Sequence, residues 1–346
     1  MNVKNRALFL VSLIIVFLSG FFLINGISYF NVEIDTKIQE HEKIIDGVSQ
    51  QLLNNIYNPY LAKISIFIEQ NEQIRQAFVD RDRALLLKLS SFHYQRFHGE
   101  NTFFHAMDFN LPDGTVFLRV QKPELFGEDI SASRPIVTAV HKDREQHSGF
   151  DIGKHGAIFW VAQPVFHKDE YIGAVEFGVE VKQLETSLAA SLGSDVTSVL
   201  KGNKWQKAEL VNHGFQEHGD FILMTRGNTL FDEIAGQLDF INLEDQNVNV
   251  DGKQFILHSC TLLNDVNNKR SGRLVLFQDI SNEVVKKKIF VTLALFLTLL
   301  LLIVSFVVLY YSFGKLIGRL ENYARENKLA KDNLQQGHNS LEERVE

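Results

Sequence analysis

The chain has 346 residues, 45% hydrophobic and 22% charged, which is a globular composition and excludes a disordered chain. A net charge of −7 excludes a dedicated nucleic-acid surface, since phosphate binding needs a basic face. The single cysteine, Cys260, excludes an intrachain disulfide, so the folded part must stand on its core alone.

Residues 1–6 carry Lys4 and Arg6 and read as a short positive N-terminus on the cytoplasmic side. Residues 7–30 follow without a charge, and residues 289–313 form a second uncharged apolar run. Each exceeds the ~20 residues that cross a bilayer as a helix. Backbone in lipid must satisfy its own hydrogen bonds, so both runs are expected to be helical. The first is longer than a signal-peptide core and has no clean small-x-small site, so it reads as a retained anchor. Two spans put both ends on one face. Lys4 and Arg6 place that face inside, and Lys315, Arg319 and Arg325 agree. Lys286, Lys287 and Lys288 lie on the opposite flank, where a long translocated loop makes charge count for little.

From residue 31 to about 97 the pattern is helical: Ile34, Ile38, Ile45, Val48, Leu52 and Ile56 fall near a period of 3.6. Pro59 marks a break. The period changes to two at residue 102. Runs 102–110 and 115–121 flank Pro112-Asp113-Gly114, a hairpin signal. A two-residue loop at Asp113-Gly114 would set Phe109 opposite Leu118, Met107 opposite Val120 and Asp108 opposite Arg119. One face would then be apolar and pack on the helices; the other would carry Phe104, Ala106, Asp108, Phe117 and Arg119. Residues 121–148 read as loop, with a short helix after Arg134. Strands follow at 157–166 and 171–180, then a helix at 181–192 ending at Gly193. A second module occupies about 194–283. It holds a helix near 229–238, a hairpin over Asp251-Gly252 between 248–250 and 253–263, and a last strand at 272–280. The fold class is therefore α+β in two modules, with domains at 31–193 and 194–288 between spans 7–30 and 289–313.

In residues 314–346, Leu316, Leu320, Tyr323, Asn327, Ala330, Leu334, Gly337 and Leu341 alternate four and three apart. That is a heptad seam for a parallel coiled-coil homodimer, with Asn327 setting the register. An amphipathic helix lying on membrane lipid is the other reading of the same stripe.

Seven residues are candidates for ligand contact. Arg119 on the second strand has the geometry to hold a carboxylate with two hydrogen bonds, or to pair across the hairpin with Asp108. Arg134 follows a loop and either closes over a pocket or anchors that loop. Glu176 stands in an otherwise apolar strand and needs a partner, a ligand amine or one of the two arginines. His105 and Trp160 lie on strands, the latter beside Phe159, and either line a pocket or belong to the core. Asp129, with Glu128, either faces the ligand or caps the helix that follows. His93, His98, His105 and Asp108 lack a zinc-site spacing, and no phosphate loop, nucleophile elbow or dinucleotide fingerprint occurs, so neither metal, cofactor nor catalysis is expected.

Phe104-His105, Asp113-Gly114, Phe117-Leu118-Arg119, Lys122-Pro123, Phe126-Gly127-Glu128-Asp129, Arg134-Pro135, Gly149-Phe150-Asp151 and Gly173 to Gly178 occur in an order and spacing that resembles the double Cache sensors, the subgroup often called double Cache domain 3. The stretch 272–281 looks like the closing strand of a PAS-like module. The resemblance implies a helix emerging from the membrane with two PAS-like modules, the membrane-distal one holding the ligand pocket. Such ectodomains sit on histidine kinases, chemoreceptors and diguanylate cyclases. Residues 341–346, Leu-Glu-Glu-Arg-Val-Glu, look like the signalling helix leading to an output domain. The expectation is a two-pass sensor in the bacterial inner membrane with a periplasmic loop. It binds a small molecule, such as a carboxylate, and signals through a cytoplasmic coil to a separate kinase or cyclase, without an output domain of its own. The alternatives are the sensor portion of a truncated kinase, cyclase or chemoreceptor, and a membrane-anchored scaffold that binds nothing. A membrane-anchored periplasmic enzyme would need a catalytic constellation, and none is legible.

Overall fold

The computed structural model describes residues 3–153, 156–225, 230–243 and 246–345. They fall into two compact units: residues 37–281, and residues 1–36 together with 282–346.

In the second of these units lie the apolar parts of helix α1 (Val3–Ile56) and of the last helix, α9 (Ser281–Val345). Both are long and apolar enough to cross a membrane. Their large apolar side chains point outward, with Phe17 73% and Ile24 69% exposed. The two pack through Phe290, whose ring lies 5.7 Å from Phe22 and 5.3 Å from Phe30. A Cβ at Gly26 would stand 2.1 Å from that ring, so the glycine is what admits it. Within α9 the predicted seam residues Leu316, Leu320 and Tyr323 are exposed, as are most of their neighbours. The side chains of Gly337 and Leu341, like that of Lys4, lie outside the described ones.

The other unit begins with the rest of α1 and continues through α2 (Asn58–Glu69), α3 (Glu72–Val79) and α4 (Arg83–Glu100). The break expected at Pro59 falls at Tyr57, and the proline sits in the first turn of α2, where its missing N–H costs nothing. Asp82 caps α4 by accepting from the Leu85 amide at 3.0 Å.

The first sheet contains β1 (Phe104–Asn110), β2 (Val116–Arg119), β3 (His147–Gly153), β4 (Gly156–His167) and β5 (Glu170–Glu180), in the order β2-β1-β5-β4-β3. Helix α5 (Pro135–Asp143) lies between β2 and β3 in the chain. Helix α6 (Lys182–Leu192) leads out and stops at Gly193, which takes the left-handed conformation at φ 64°. The second sheet contains β6 (Val196–Lys201), β7 (Gln216–His218), β8 (Phe221–Leu223), β9 (Gln246–Val250), β10 (Lys253–Asn264) and β11 (Arg270–Asp279), with α7 (Lys204–Asn212) and α8 (Leu230–Ile234) between strands. Its order is β7-β8-β6-β11-β10-β9. Setting aside the edge strand β7, this repeats the first sheet: the opening strand lies between the second and the last, with the fourth and third beyond. The duplication is carried by topology.

Several expectations are corrected here. The loop assigned to 121–148 gives way to β3 at His147, and the first-module sheet has five strands rather than four. The second module has six strands where the sequence showed three, with β6, α7, β7 and β8 unforeseen. The helix expected at 229–238 is a single turn, α8, followed by a 3-10 turn at Ala235–Gln237; Thr229 lies outside the described residues.

The hairpin register holds for an unexpected reason. Leu111 N–H donates to Thr115 O and Gly114 N–H to Leu111 O, so the loop has three residues, with Gly114 at φ 85°. A bulge at Phe117 then restores Phe109 opposite Leu118 and Asp108 opposite Arg119. A second bulge, at His105, separates Phe104↔Val179 from Ala106↔Gly178. It turns Phe104 away from Asp108 and onto the helices, because one extra residue exchanges the faces of a strand. Phe104 stacks on Tyr60 at 5.6 Å and meets Phe177 edge-on at 5.3 Å. Phe117 likewise packs beside Phe78, at 5.8 Å.

These registers give the first sheet two different faces. Met107, Phe109, Val161, Val175 and Phe177 are fully buried against α2 and its neighbours. The opposite face carries Ala106, Ala162, Ala174 and Gly178, small residues around Trp160. The small side chains leave space on that face, and polar residues line it.

Candidate functional site

A cavity of about 430 Å³ opens on the small-residue face of the first sheet. Its floor is β1, β2 and β4. One wall is the 121–134 segment, another is β3, and α7 of the second module contributes Trp205 and Glu209. The cavity is within the usual size range for small-molecule sites.

Arg134 ends the 121–134 wall and lies against the floor residues Asp108 and Trp160. It precedes Pro135, which disfavours helical backbone for the residue before it. Arg134 is accordingly extended, at φ −126° and ψ 94°. Its Nη1 donates to Glu176 Oε2 at 2.9 Å and to Asp108 Oδ2 at 3.2 Å, and its guanidinium carbon stands 4.1 Å from the centre of the Trp160 ring. Burial opposes the guanidinium's charge, but Glu176 and Asp108 outweigh it and hold its pKa above the ordinary value. Glu176 is fully buried, and burial raises its carboxyl above the usual range even against Arg134. Asn110 donates to its Oε2 at 2.8 Å. Gln121 clamps the neighbouring carboxylate: its Nε2 donates to Asp108 Oδ1 at 2.8 Å while its Oε1 accepts from the Met107 amide at 3.0 Å.

Trp160 reaches the cavity because Gly178 lies opposite it on β5. A Cβ there would stand 2.8 Å from the indole. Arg119 lies at the outer end of the floor. Nη1 donates to the Leu125 carbonyl at 3.0 Å and to the Glu128 carboxylate, and Nε sits 3.8 Å from Asp108. Glu128 is on the loop, its side chain 47% exposed. Burial raises its carboxyl, but its own backbone amide and Arg119 bring the pKa below the ordinary value. His105 reaches the rim and pairs through Nδ1 with Glu180 Oε1 at 3.1 Å.

Five of the seven residues singled out in the sequence therefore line one cavity: His105, Asp108, Arg119, Arg134 and Trp160. Two do not. Glu176 lies beneath the lining as the partner of Arg134. Asp129 turns away: its Oδ1 accepts from the Ser131 amide at 2.9 Å and hydroxyl at 2.6 Å, which shapes the turn before α5. Its neighbour Glu128 faces the cavity instead. Of the histidines weighed as metal ligands, His93 packs on Phe67 at 5.2 Å and His98 bonds the Phe104 carbonyl at 3.0 Å.

Sequence reasoning missed Asp151, Gln121 and Trp205. Asp151 lines the cavity from β3; burial pushes its carboxyl up to about 6, and among the described residues its Oδ1 accepts a local bond from the Ile152 amide at 2.8 Å. Gly149 and Gly153 interrupt the alternation of β3, which hid the strand and therefore the aspartate. Trp205 comes from the other module, and no local pattern could announce it.

The profile of the dCache_3 family, described as the double sensory domain of two-component sensor kinases, matches residues 39–284. The chain belongs to this double Cache family. No curated protein matches it. Among solved structures, the double Cache chain is similar to the sensor domain of the Vibrio cholerae histidine kinase DctB. That match has 13% identity and a TM-score of 0.44, over 70% of this chain and 98% of that one. It is also similar to the ligand-binding domain of the Pseudomonas fluorescens chemoreceptor CtaA in complex with L-serine. There the identity is 15% and the TM-score 0.41, over 72% and 98%. An extracellular ligand-binding receptor from Desulfohalobium retbaense matches at 15% identity and a TM-score of 0.40, over 67% of this chain. The double Cache chain spans 39% of that receptor.

Proposed function

We propose that the protein is a two-pass sensor of the bacterial inner membrane whose first Cache module binds a small carboxylate from the periplasm. The observation that carries this is the Arg119–Glu128 pair at the mouth of the Arg134 cavity. Arg134 is committed to two buried carboxylates. Arg119 is held through Nη1 by a half-exposed loop carboxylate, which a ligand carboxylate can replace. Asp151, ionised above about pH 6 and bonded among the described residues to the Ile152 amide, offers the other end of the cavity to an ammonium or hydroxyl. Such a ligand exchanges one loop contact for its own and so has different affinities for the two loop states, the condition for a conformational response. The outward-facing apolar surfaces of α1 and α9 support the membrane assignment. The seam in α9 supports a parallel dimer read by a kinase or cyclase.

The two tryptophans of the chain, Trp160 and Trp205, both line this cavity, so intrinsic fluorescence reports on it directly. Purified protein in nanodiscs, titrated with a panel of amino and carboxylic acids, is expected to show a saturable change with at least one carboxylate. Arg119→Ala should keep the fold and weaken that binding at least tenfold. Unchanged affinity in the variant refutes the assignment of Arg119.

A further inference from the structure

One helix of the second module enters the Arg134 cavity, and its side chains divide by helical spacing. Leu210 of α7 is fully buried in the core cluster that also holds Phe215 and Ile222. Lys207 donates to the Gly219 carbonyl at 2.8 Å and pairs with Glu217 at 2.9 Å. Gln206 faces the first module: its Nε2 donates to the Ile152 carbonyl of β3 at 3.1 Å. Its Oε1 meanwhile accepts from the Asn203 amide at 2.9 Å, one half of a capping box. Trp205 and Glu209, four apart and so on one face of the helix, both line the cavity.

Strand β3 is gripped from the same side. It is the edge of the first sheet, and a Cβ at Gly149 would stand 2.6 Å from the Val266 amide nitrogen, in the turn between β10 and β11. Ile152, which takes the Gln206 bond, directly follows Asp151. The second module therefore positions both the β3 wall and the helix that carries Trp205.

Trp205 differs from the rest of the apolar lining. Ile130 is 7% exposed, Ile152 5%, Ile158 4% and Trp160 5%, whereas Trp205 is 62% exposed. An indole held on an anchored helix and left in water offers an occupant apolar area that the fold itself does not cover. Distance sets the occupant's length. The Arg119 guanidinium lies against Asp108 of β1. In the sheet order, β1 and β3 are three strand spacings apart, roughly 14 Å at about 4.8 Å each. A short acid on Arg119 ends well before the β3 side, and an elongated one reaches Trp205.

We infer that Trp205 is the specificity-determining residue of this cavity, selecting carboxylates that carry an extended apolar body. The inference rests on the carboxylate reading of Arg119 given above. The carboxylate takes the Arg119 end, and the indole covers the far end of the body. Such an occupant touches both modules, so its binding favours the arrangement that keeps α7 over the cavity.

The test is calorimetric titration of the full chain in nanodiscs with 4-phenylbutyrate, with butyrate measured by its displacement. 4-Phenylbutyrate is expected to bind at least about tenfold more tightly than butyrate. Trp205→Ala, at an exposed position whose truncation spares the core, should erase most of that preference. Trp205→Phe should keep it within about threefold. Gln206→Glu retains the capping acceptor and loses the donor to Ile152, so it should lower the preference several-fold by loosening the helix. Arg119→Ala should weaken both ligands alike. Absence of 4-phenylbutyrate binding, or an unchanged preference in Trp205→Ala, overturns the inference. Loss of the preference in Trp205→Ala, with Arg119→Ala weakening neither ligand, would leave the role of Trp205 standing and remove that of Arg119.

Discussion

Asp151 makes the cavity's electrostatics measurable. Its carboxyl is pushed up to about 6 by burial, against an ordinary 3.8. The gap of roughly 2 pH units, at about 1.36 kcal/mol each, amounts to about 3 kcal/mol. The folded state holds this proton more tightly than the unfolded chain does. Stability from Asp151 is therefore full below pH ~4 and is lost as pH rises from about 4 to about 6. Asp151→Asn removes the titration while keeping the oxygen that accepts from the Ile152 amide. The variant should match the wild type near pH 4 and exceed it by about 3 kcal/mol at pH 7.5. Urea unfolding followed by tryptophan emission, in both proteins across that range, measures the difference; other carboxylates titrate alike in both and cancel. A gap that stays flat from pH 4 to 7.5, or that has the opposite sign, refutes the argument that burial outweighs Arg134 in setting this carboxyl.

Arg134→Ala should be the most damaging change in the cavity, destabilising by about 3–5 kcal/mol, because it strands Asp108 and Glu176; thermal melts compared with Arg119→Ala check the contrast. Gly178→Ala should cost about 1–3 kcal/mol and shift tryptophan emission, because the added methyl pushes the Trp160 ring into the cavity. Single cysteines placed along Leu316, Leu320, Tyr323 and Asn327 should crosslink in membranes more efficiently than those between them. A flat profile rejects the parallel coil.

What the sequence alone determined rests on interactions between near neighbours. The apolar runs, the break near Pro59, the α6 stop at Gly193 and the turn at Asp251-Gly252 follow from local backbone and solvation physics, and each appears in the structure. The family resemblance came from clustered turn and strand motifs and holds over residues 39–284. Asp108 opposite Arg119 was expected from a two-residue loop, and it holds because a bulge at Phe117 offsets the three-residue loop that forms instead. The tertiary structure decided the rest. A bulge at His105 reversed the face of Phe104, a one-residue event that alternation cannot reveal. Asp129 and Glu128 are adjacent, yet only the turn made by Ser131 settles which of them faces the cavity. Glu176 pairs with Arg134 across 42 residues, and Trp205 closes the site from another module. Partners that far apart in sequence leave no period or spacing to read, because their proximity is a product of sheet order and module packing.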